Sequence, residues 1–431
     1  MLSVIGVGES KRGNVTAFFQ YFRAANQTYK LRVAVIALWS TTLVVIFLRI
    51  ASDPHRNTVF NTFETGGLHW LHGSILYDNY RGFVYSPLAA AIFVPFTLLP
   101  DAAADILWRL LNVAVYLGAV TWWLRAGLHE TISAKNYAWV FLLLLPLSIG
   151  NLNNGQVNPL IIGLLMIALL AARETRWNLA ALCIAITAYF KIYPLALGLV
   201  LVVLFPKQFT WRLLLALLLL GALTFVLQRP GYVLEQYRLW FATRLAGDRR
   251  LYKMSIAPRD LWMVLRLVHI TVSERFYTGV QVLSGAGVAL ACLIGRRRNW
   301  PQDRILAMLL ALVAAWMLLC GPATESATYI LLAPPVVLML VEAFSQNATL
   351  IMRAWIAASY GVLLFGLQLN SFFHLTKSVY TMSIQPVGAL LFAGYIVAQM
   401  FRGSVDRPSS NDSALDLLSG KLRLNASHSE A

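Results

Sequence analysis

The chain has 431 residues, of which 58% are hydrophobic and 13% are charged, and its mean hydropathy is +0.65. These values lie outside the usual range of soluble globular proteins and predict a polytopic membrane protein. The net charge of +16 does not indicate nucleic-acid binding, because the basic residues are scattered between apolar segments and form no single stripe. The three cysteines lie inside apolar segments without the spacing of a metal site or a disulfide framework.

Leucine-rich apolar segments dominate the chain and predict an all-α protein. Several of them approach the roughly 20 residues that a spanning helix needs, and the first is 31–50. The basic residues before it place segment 1–32 in the cytoplasm by the positive-inside rule. Counting onward by flanking charge predicts about twelve crossings within a membrane domain at 33–401. The polar segment 402–431 is predicted to be a disordered cytoplasmic tail.

The first outer loop is predicted at 51–85, and it is longer than a simple connection requires. It is rich in titratable residues, namely Asp53, His55, Arg56, Glu64, His69, His72, Asp78 and Arg81. The apolar segment 86–100 follows it but is short for a span and is interrupted by Pro87 and Pro95. The charge count is consistent only if this segment does not cross, so we expect an interfacial or re-entrant segment.

A polar segment with the sequence NNGQVNP occupies 153–159 and interrupts the apolar pattern. Lys191 ends a later apolar run, three residues before Pro194. Unpaired polar groups are costly in hydrocarbon, so such groups in a membrane protein suggest a functional site. The alternative is a structural role, in which the carboxamides hold helices together and the lysine extends to the membrane interface. Both interpretations stay open.

The second outer loop, predicted at 229–277, contradicts the positive-inside rule. Between residues 229 and 275 it carries nine basic residues against four acidic ones. Basic residues retained on the outer side suggest phosphate binding, because guanidinium groups pair bidentately with phosphate oxygens. Attraction to anionic lipid headgroups is the alternative.

The charge-based topology places the polar groups of distant segments on one outer face. The residues concerned are Asp53, Glu64, Gln156, Asn158, Lys191, Glu325 and the basic residues of the second loop. A carboxylate on such a face can act as a general base, while cations stabilise an anionic leaving group. Glu325 is either a second carboxylate of the site or a group that hydrogen-bonds a broken helix end.

The block GQVNPLIIGLLMIALL, followed by a basic turn and AALCIAITAYFKIYPL, resembles the signature of glycosyltransferase family 87 of the GT-C superfamily. The first-loop sequence HWLHGSILYDNYRGFVYSPLAAAIFVPFTLLP resembles the family pattern of a small residue, Leu-Tyr, Tyr-x-Pro-Leu and a closing Leu-Pro. The resemblance covers roughly residues 50–340. It implies a GT-C-type bundle that transfers a hexose, such as mannose, from a polyprenyl-phosphate sugar to a lipid-linked or glycan hydroxyl. The transfer would be inverting and occur at the outer face of the cell (inner) membrane, without a metal or other cofactor.

The resemblance also implies a general base in the first outer loop. The family's aspartate would fall near Val59, which cannot serve. The nearest acids are Asp53 and Glu64, and we expect Asp53 first because it follows the first span within three residues. A salt bridge to Arg56 or a solvated helix face is the alternative role for these carboxylates.

The other roles implied by the resemblance concern the donor and the acceptor. Donor phosphate binding is expected of Lys191, Arg56, Arg250, Lys253 and Arg259. Substrate binding is expected of Gln156, Asn158, Tyr85, Glu325 and Tyr193. The chain departs from the family at Lys253-Met254-Ser255, where members tend to carry Asn-Gln-Ser.

Two other classes of function stay open at this point. A transporter or flippase of lipid-linked saccharides would share the basic loop and the broken helices, although we find no internal repeat of the kind that transporters carry. A structural partner of a glycan-assembly complex, without activity, is compatible with the apolar residue Val59. The first-loop histidines lack the scaffold that a zinc site requires.

Overall fold

The computed structural model describes residues 9–55, 58–77, 82–129, 132–245, 257–321, 324–346, 348–372 and 379–402. Within these ranges the chain is helical and contains no strand, as its composition predicts. The helices are α1 (Glu9–Ser52), α2 (Phe60–His72), α3 (Pro87–Phe93), α4 (Asp101–Arg125), α5 (Tyr137–Asn153), α6 (Asn158–Arg173), α7 (Trp177–Phe190), α8 (Leu195–Leu204), α9 (Pro206–Leu227), α10 (Pro230–Leu245), α11 (Leu261–Leu267), α12 (Glu274–Arg297), α13 (Gln302–Cys320), α14 (Ala333–Ser345), α15 (Leu350–Phe372) and α16 (Val379–Arg402). Short 3-10 segments occur at Val94–Leu98, Ala134–Asn136 and Ser326–Leu332.

Eight helical segments in the described ranges are long and apolar enough to cross a membrane. They are Gln27–Ser52, Asp101–Arg125, Pro206–Leu227, Glu274–Arg297, Gln302–Cys320, Ser326–Ser345, Leu350–Leu367 and Ser383–Phe401. Shorter apolar helices occur at Pro87–Leu98, Asn158–Arg173, Trp177–Phe190 and Leu195–Leu204. The chain is therefore a multi-pass membrane protein, and the count of about twelve crossings stays a prediction.

The helices are arranged around a buried centre. Helices α6, α13 and α14 are buried along most of their length, and α6 packs against both α4 and α7. A helix that is apolar on all sides is stable only in such an interior or against lipid. By contrast, α9 and α12 keep large apolar side chains exposed, for example Leu218, Val226 and Leu283. These two helices have the composition expected of a lipid-facing surface.

Both predicted outer loops contain helices that the sequence analysis did not predict. Helix α2 lies in the first loop, where its buried face carries Phe60, Phe63 and Trp70. Phe63 stacks on Phe93 of α3 with ring centroids 4.5 Å apart. Helices α10 and α11 lie in the second loop. Tertiary packing of aromatic side chains therefore organises segments that read as irregular in the sequence.

Two interruptions of apolar helices fall where the sequence predicted them. Helix α7 ends at Phe190 and α8 begins at Leu195, so Lys191 lies in the gap before Pro194. Within segment 86–100, a short α-helix capped by Ser86 continues into a 3-10 turn, and its first residues are buried in the protein. This arrangement is compatible with the predicted re-entrant or interfacial segment, whose relation to the membrane stays a prediction.

Candidate active site at one end of the helical bundle

A buried polar stripe runs along α4 and forms the base of the site. It consists of Asp105, Trp108, Arg109 and Asn112, each at most 2% exposed. Their spacing of i, i+3, i+4 and i+7 puts all four on one face of the helix. The Arg109 guanidinium donates to the carboxylate of Asp105. An ion pair at this depth is costly unless it makes further hydrogen bonds.

The α4 stripe makes those further hydrogen bonds to the backbone at the end of α5. Arg109 Nε donates to the carbonyl of Leu152 at 2.7 Å, and its Nη2 donates to that of Asn153 at 3.0 Å. Trp108 Nε1 donates to the carbonyl of Gly155 at 2.9 Å. The last carbonyls of a helix lack intrahelical donors and form its negative end, which explains why a cation binds there.

The predicted first outer loop is joined to the same turn. The backbone N–H of Val59 donates to the carbonyl of Asn154 at 2.9 Å, and Arg109 Nη2 also donates to Thr58 Oγ1 at 3.2 Å. Gly155 has a φ of +64°, and a Cβ there would lie 3.0 Å from Thr58 Oγ1. Glycine is therefore favoured both by the left-handed backbone and by the close approach of the loop.

Asn158 and Lys191 are in direct contact. Lys191 Nζ donates to Asn158 Oδ1 at 2.9 Å, and Asn158 Nδ2 donates to Asn151 Oδ1 at 3.1 Å. The Lys191 ammonium also lies 5.9 Å from the centre of the Tyr193 ring. The carboxamide of Asn158 is thus engaged within the protein, where it orients the lysine. Of the two predicted carboxamides, Gln156 is the one with an acceptor to spare, because its buried Oε1 has no partner among the described residues.

Three hydrogen bonds described here hold Arg259 at the same end of the bundle, and a fourth positions its partner Gln385. Its backbone N–H donates to the Thr324 carbonyl at 2.7 Å, and its own carbonyl accepts from Tyr329 Oη at 2.7 Å. Its Nη1 donates to Gln385 Oε1 at 2.8 Å, and Gln385 Nε2 donates to the Ser326 carbonyl at 3.3 Å. Burial lowers the pKa of Arg259, while Tyr329 and Glu325 act in the opposite direction.

Glu325 directly follows the residue that accepts from Arg259, and it lies exposed at the start of the 3-10 segment Ser326–Leu332. Its side chain makes no capping hydrogen bond, so the alternative that it caps a broken helix end is wrong. The carboxylate interacts electrostatically with the cations Lys191 and Arg259 and with Tyr193. Tyr193 in turn lies within electrostatic range of buried Tyr85.

The two first-loop carboxylates have different surroundings. Asp53 is exposed directly after α1, and its backbone N–H donates to the Arg49 carbonyl at 3.0 Å. Glu64 is half-buried on α2, and its pKa is raised chiefly by burial and further by Asp101, with His55 acting oppositely. His55 Nε2 lies 3.1 Å from Asp101 Oδ2 on the surface. The structure therefore adds Asp101 and His55 to the surroundings of Glu64.

Three of the predicted phosphate ligands, Arg56, Arg250 and Lys253, lie outside the described residues. In the described ranges, no group of three or more His, Cys, Asp or Glu side chains has the geometry to hold a metal ion. Sequence reasoning missed the α4 stripe entirely. The i, i+3, i+4 and i+7 spacing of its polar residues in an otherwise apolar helix was the pattern that could have revealed it. Asp101 was missed because only the tertiary fold brings it beside His55.

Comparison with known proteins places the chain in a family. The model of glycosyltransferase family 87 matches residues 83–322, which is more than half of the chain. A polyprenol-phosphate-mannose-dependent alpha-(1-2)-phosphatidylinositol pentamannoside mannosyltransferase of Mycobacterium tuberculosis is 31% identical over 116 residues, which is 26% of either chain. The crystal structure of ArnT from Cupriavidus metallidurans bound to undecaprenyl phosphate is 16% identical, with a TM-score of 0.36 over 87% of this chain and 78% of that one. On the extent of the family match, this chain belongs to glycosyltransferase family 87.

Proposed function

We propose that this protein transfers a hexose, mannose in the first instance, from a polyprenyl-phosphate sugar to a lipid-linked or glycan hydroxyl. The transfer inverts the anomeric carbon and takes place at the outer face of the cell membrane, in a GT-C-type bundle of about twelve crossings whose two termini are cytoplasmic. Membership of the family supports a glycosyl transfer. The name of the mycobacterial relative supports the choice of donor.

The observation that carries this proposal is that Lys191 and Arg259 both lie within electrostatic range of Glu325 at one end of the bundle. A polyprenyl phosphate leaving group gains negative charge as the glycosidic bond breaks, and fixed cations stabilise that charge. Lys191 is oriented by Asn158, and Arg259 is fixed by Gln385 and two backbone hydrogen bonds. Cations held in this way lose little freedom when the phosphate binds.

Three further side chains complete the proposed binding site. Gln156 offers a buried carbonyl oxygen without a partner to a sugar hydroxyl. The Tyr193 ring lies 5.9 Å from the Lys191 ammonium, and Tyr85 lies within electrostatic range of Tyr193, so both can contact the sugar. Asn158 acts through Lys191, since its carboxamide is engaged on both sides. Arg56, Arg250 and Lys253 stay predicted phosphate ligands.

The reaction also needs a carboxylate that removes the proton from the acceptor hydroxyl. Asp53 and Glu64 stay the candidates predicted from sequence. In the described structure, neither carboxylate interacts with Lys191 or Arg259, whereas Glu325 interacts with both.

The test is transfer of radiolabelled sugar from a panel of polyprenyl-phosphate donors to membrane glycolipid by the purified protein. We expect Lys191→Ala to reduce transfer by about 10²- to 10³-fold, the usual loss when one group that stabilises a developing negative charge is removed. Lys207→Ala is the matched control, because this lysine is exposed at the start of α9 and has no place in the site. It should transfer at the wild-type rate.

If the wild-type protein turns over none of the donors but moves lipid-linked saccharides between leaflets, the protein is a flippase and the proposed transfer is wrong. Wild-type protein that does neither would favour a structural partner in glycan assembly. Equal losses of transfer activity in Lys191→Ala and Lys207→Ala would mean that the active site does not lie at this end of the bundle.

A further inference from the structure

We infer that Thr58 is a positioning residue of the transfer. Its side chain joins the predicted first outer loop, which carries the candidate bases Asp53 and Glu64, to the helix end whose hydrogen bonds also hold Lys191. This inference rests on the proposed function and concerns the geometry of its central step. It applies to either candidate base, because Thr58 lies between Asp53 and Glu64 in the sequence.

The predicted loop is fastened to the protein at Thr58 and at the residue after it. The Thr58 hydroxyl accepts from Arg109 Nη2 at 3.2 Å and from the backbone N–H of Phe60, the first residue of α2, at 3.1 Å. The N–H of Val59 donates to the Asn154 carbonyl at 2.9 Å. The same Arg109 Nη2 also donates to the carbonyl of the last residue of α5 at 3.0 Å. One hydroxyl therefore joins the start of α2 to the cation that binds the end of α5.

The part of the predicted loop that carries Asp53 is fastened to the same helix end. Arg49 Nη2, near the end of α1, donates to the Asn153 carbonyl at 2.6 Å. The backbone N–H of Asp53 donates to the Arg49 carbonyl at 3.0 Å. Asp53 therefore lies between two attachments in the sequence, and Glu64 lies on the helix that begins beside the second of them.

The leaving-group cation Lys191 is held from the other side of this helix end. Lys191 Nζ donates to Asn158 Oδ1 at 2.9 Å, and Asn158 Nδ2 donates to Asn151 Oδ1, in the last turn of α5, at 3.1 Å. Asn112 of the α4 stripe accepts from a backbone N–H in the first turn of α6 at 3.1 Å. The end of α5 and the α4 stripe thus fix both the candidate bases and the cation that would bind the donor phosphate.

The rate of the transfer depends on this spacing. The base, the acceptor oxygen and the leaving phosphate must be held in one geometry, and a displacement of about 1 Å can cost about 10²-fold in rate. Loops are more mobile than the helices they connect, so a base carried by a loop needs supporting contacts to keep its position. Thr58 provides such a contact, because its partner Arg109 belongs to a buried face of α4.

The decisive variant is Thr58→Val, which keeps the shape of the side chain and removes the hydroxyl. We expect kcat to fall by up to about 10²-fold. The dissociation constant of a non-transferable polyprenyl-phosphate sugar analogue should stay within a few-fold of wild type, because Lys191 and Arg259 are unchanged. Thr58→Ser keeps the acceptor oxygen and should recover most of the rate. Thr121→Val is the matched control and should transfer at the wild-type rate, because this half-buried threonine donates to the Leu117 carbonyl within α4.

A second measurement separates positioning of the base from a purely structural role of Thr58 at the start of α2. It uses whichever of Asp53→Asn and Glu64→Gln lowers transfer by the 10²- to 10⁴-fold typical of a lost general base. Adding Thr58→Val to that variant should cause no further loss, because the base to be positioned is already absent. A hydroxyl that only stabilised the fold would lower both rates by the same factor, since independent effects add in free energy.

The outcomes separate the inference from the proposal on which it rests. Wild-type kcat in Thr58→Val would overturn the inference alone, and so would a loss explained by weaker donor binding or an additive loss in the variant without the base. If neither Asp53→Asn nor Glu64→Gln lowers transfer, the predicted loop does not carry the base and the inference is again wrong. Wild-type protein without transfer would overturn the proposed function, and the inference with it.

Discussion

The α4 stripe and the cluster of Lys191, Arg259 and Glu325 are neighbours at one end of the bundle, yet they handle charge in opposite ways. In the stripe, Arg109 contacts Asp105 and its remaining donors meet backbone carbonyls. In the cluster, the carboxylate stays apart from both cations. Removing one member of a buried, directly bonded ion pair lowers stability, whereas charges that are held apart stay available to a substrate. Substitutions in the two regions should therefore affect different measurements.

The largest effect on stability is expected from Asp105→Ala. This change leaves Arg109 buried with no carboxylate, and breaking a buried ion pair in this way costs about 3 kcal/mol or more. The midpoint of thermal unfolding in detergent should fall accordingly. Asp105→Asn is the control, since it keeps an acceptor for the guanidinium and should fall less. Equal midpoints for Asp105→Ala and wild type would mean that the pair contributes nothing, and the contrast between the regions would fail.

A smaller loss of stability is expected from Gly155→Ala. The left-handed backbone alone costs an alanine about 1 kcal/mol, and the new methyl group would also lie 3.1 Å from Arg109 Nη2. Thermal unfolding measures the loss. Gly118→Ala is a matched control, because a Cβ at that helical glycine would meet nothing within 4 Å. A Gly155→Ala protein as stable as the control would show that the turn tolerates a side chain.

The smallest effect concerns the pH dependence of stability at Glu64. The pKa of this carboxyl is raised in the folded protein, so its favourable contribution is present at acidic pH and is lost as the group ionises. Glu64→Gln should therefore raise the unfolding midpoint slightly at neutral pH, and the difference should vanish at acidic pH, where Glu64 is protonated in the folded and the unfolded protein. The gain should stay below about 1 kcal/mol because the group is half exposed. A Glu64→Gln protein that is less stable than wild type at neutral pH would contradict burial of the carboxylate as the cause of the raised pKa.

Much of the fold could be predicted from the sequence, because apolar runs and flanking charges report directly on membrane helices. The break at Pro194 also followed from local chemistry, and so did the prediction that Asn158 and Lys191 belong to a functional site. The helix α2 could not be predicted in this way, since its aromatic face is specified by partners such as Phe93 that lie far along the chain. The same holds for Asp101 beside His55 and for the tie between Arg259 and Thr324, because each is a contact between distant segments.

The hydrogen bond between Arg259 and Thr324 has a mechanical consequence. It ties the predicted second outer loop to the segment that carries Glu325, while Lys191 belongs to the separate gap between α7 and α8. A displacement that opened this end of the bundle to a long-chain lipid would move Arg259 and Glu325 together, as one unit, relative to Lys191. Such a movement would change the distance between the segment of Arg259 and that of Lys191. One pair of spectroscopic probes on these two segments, measured before and after addition of the donor, would therefore detect it.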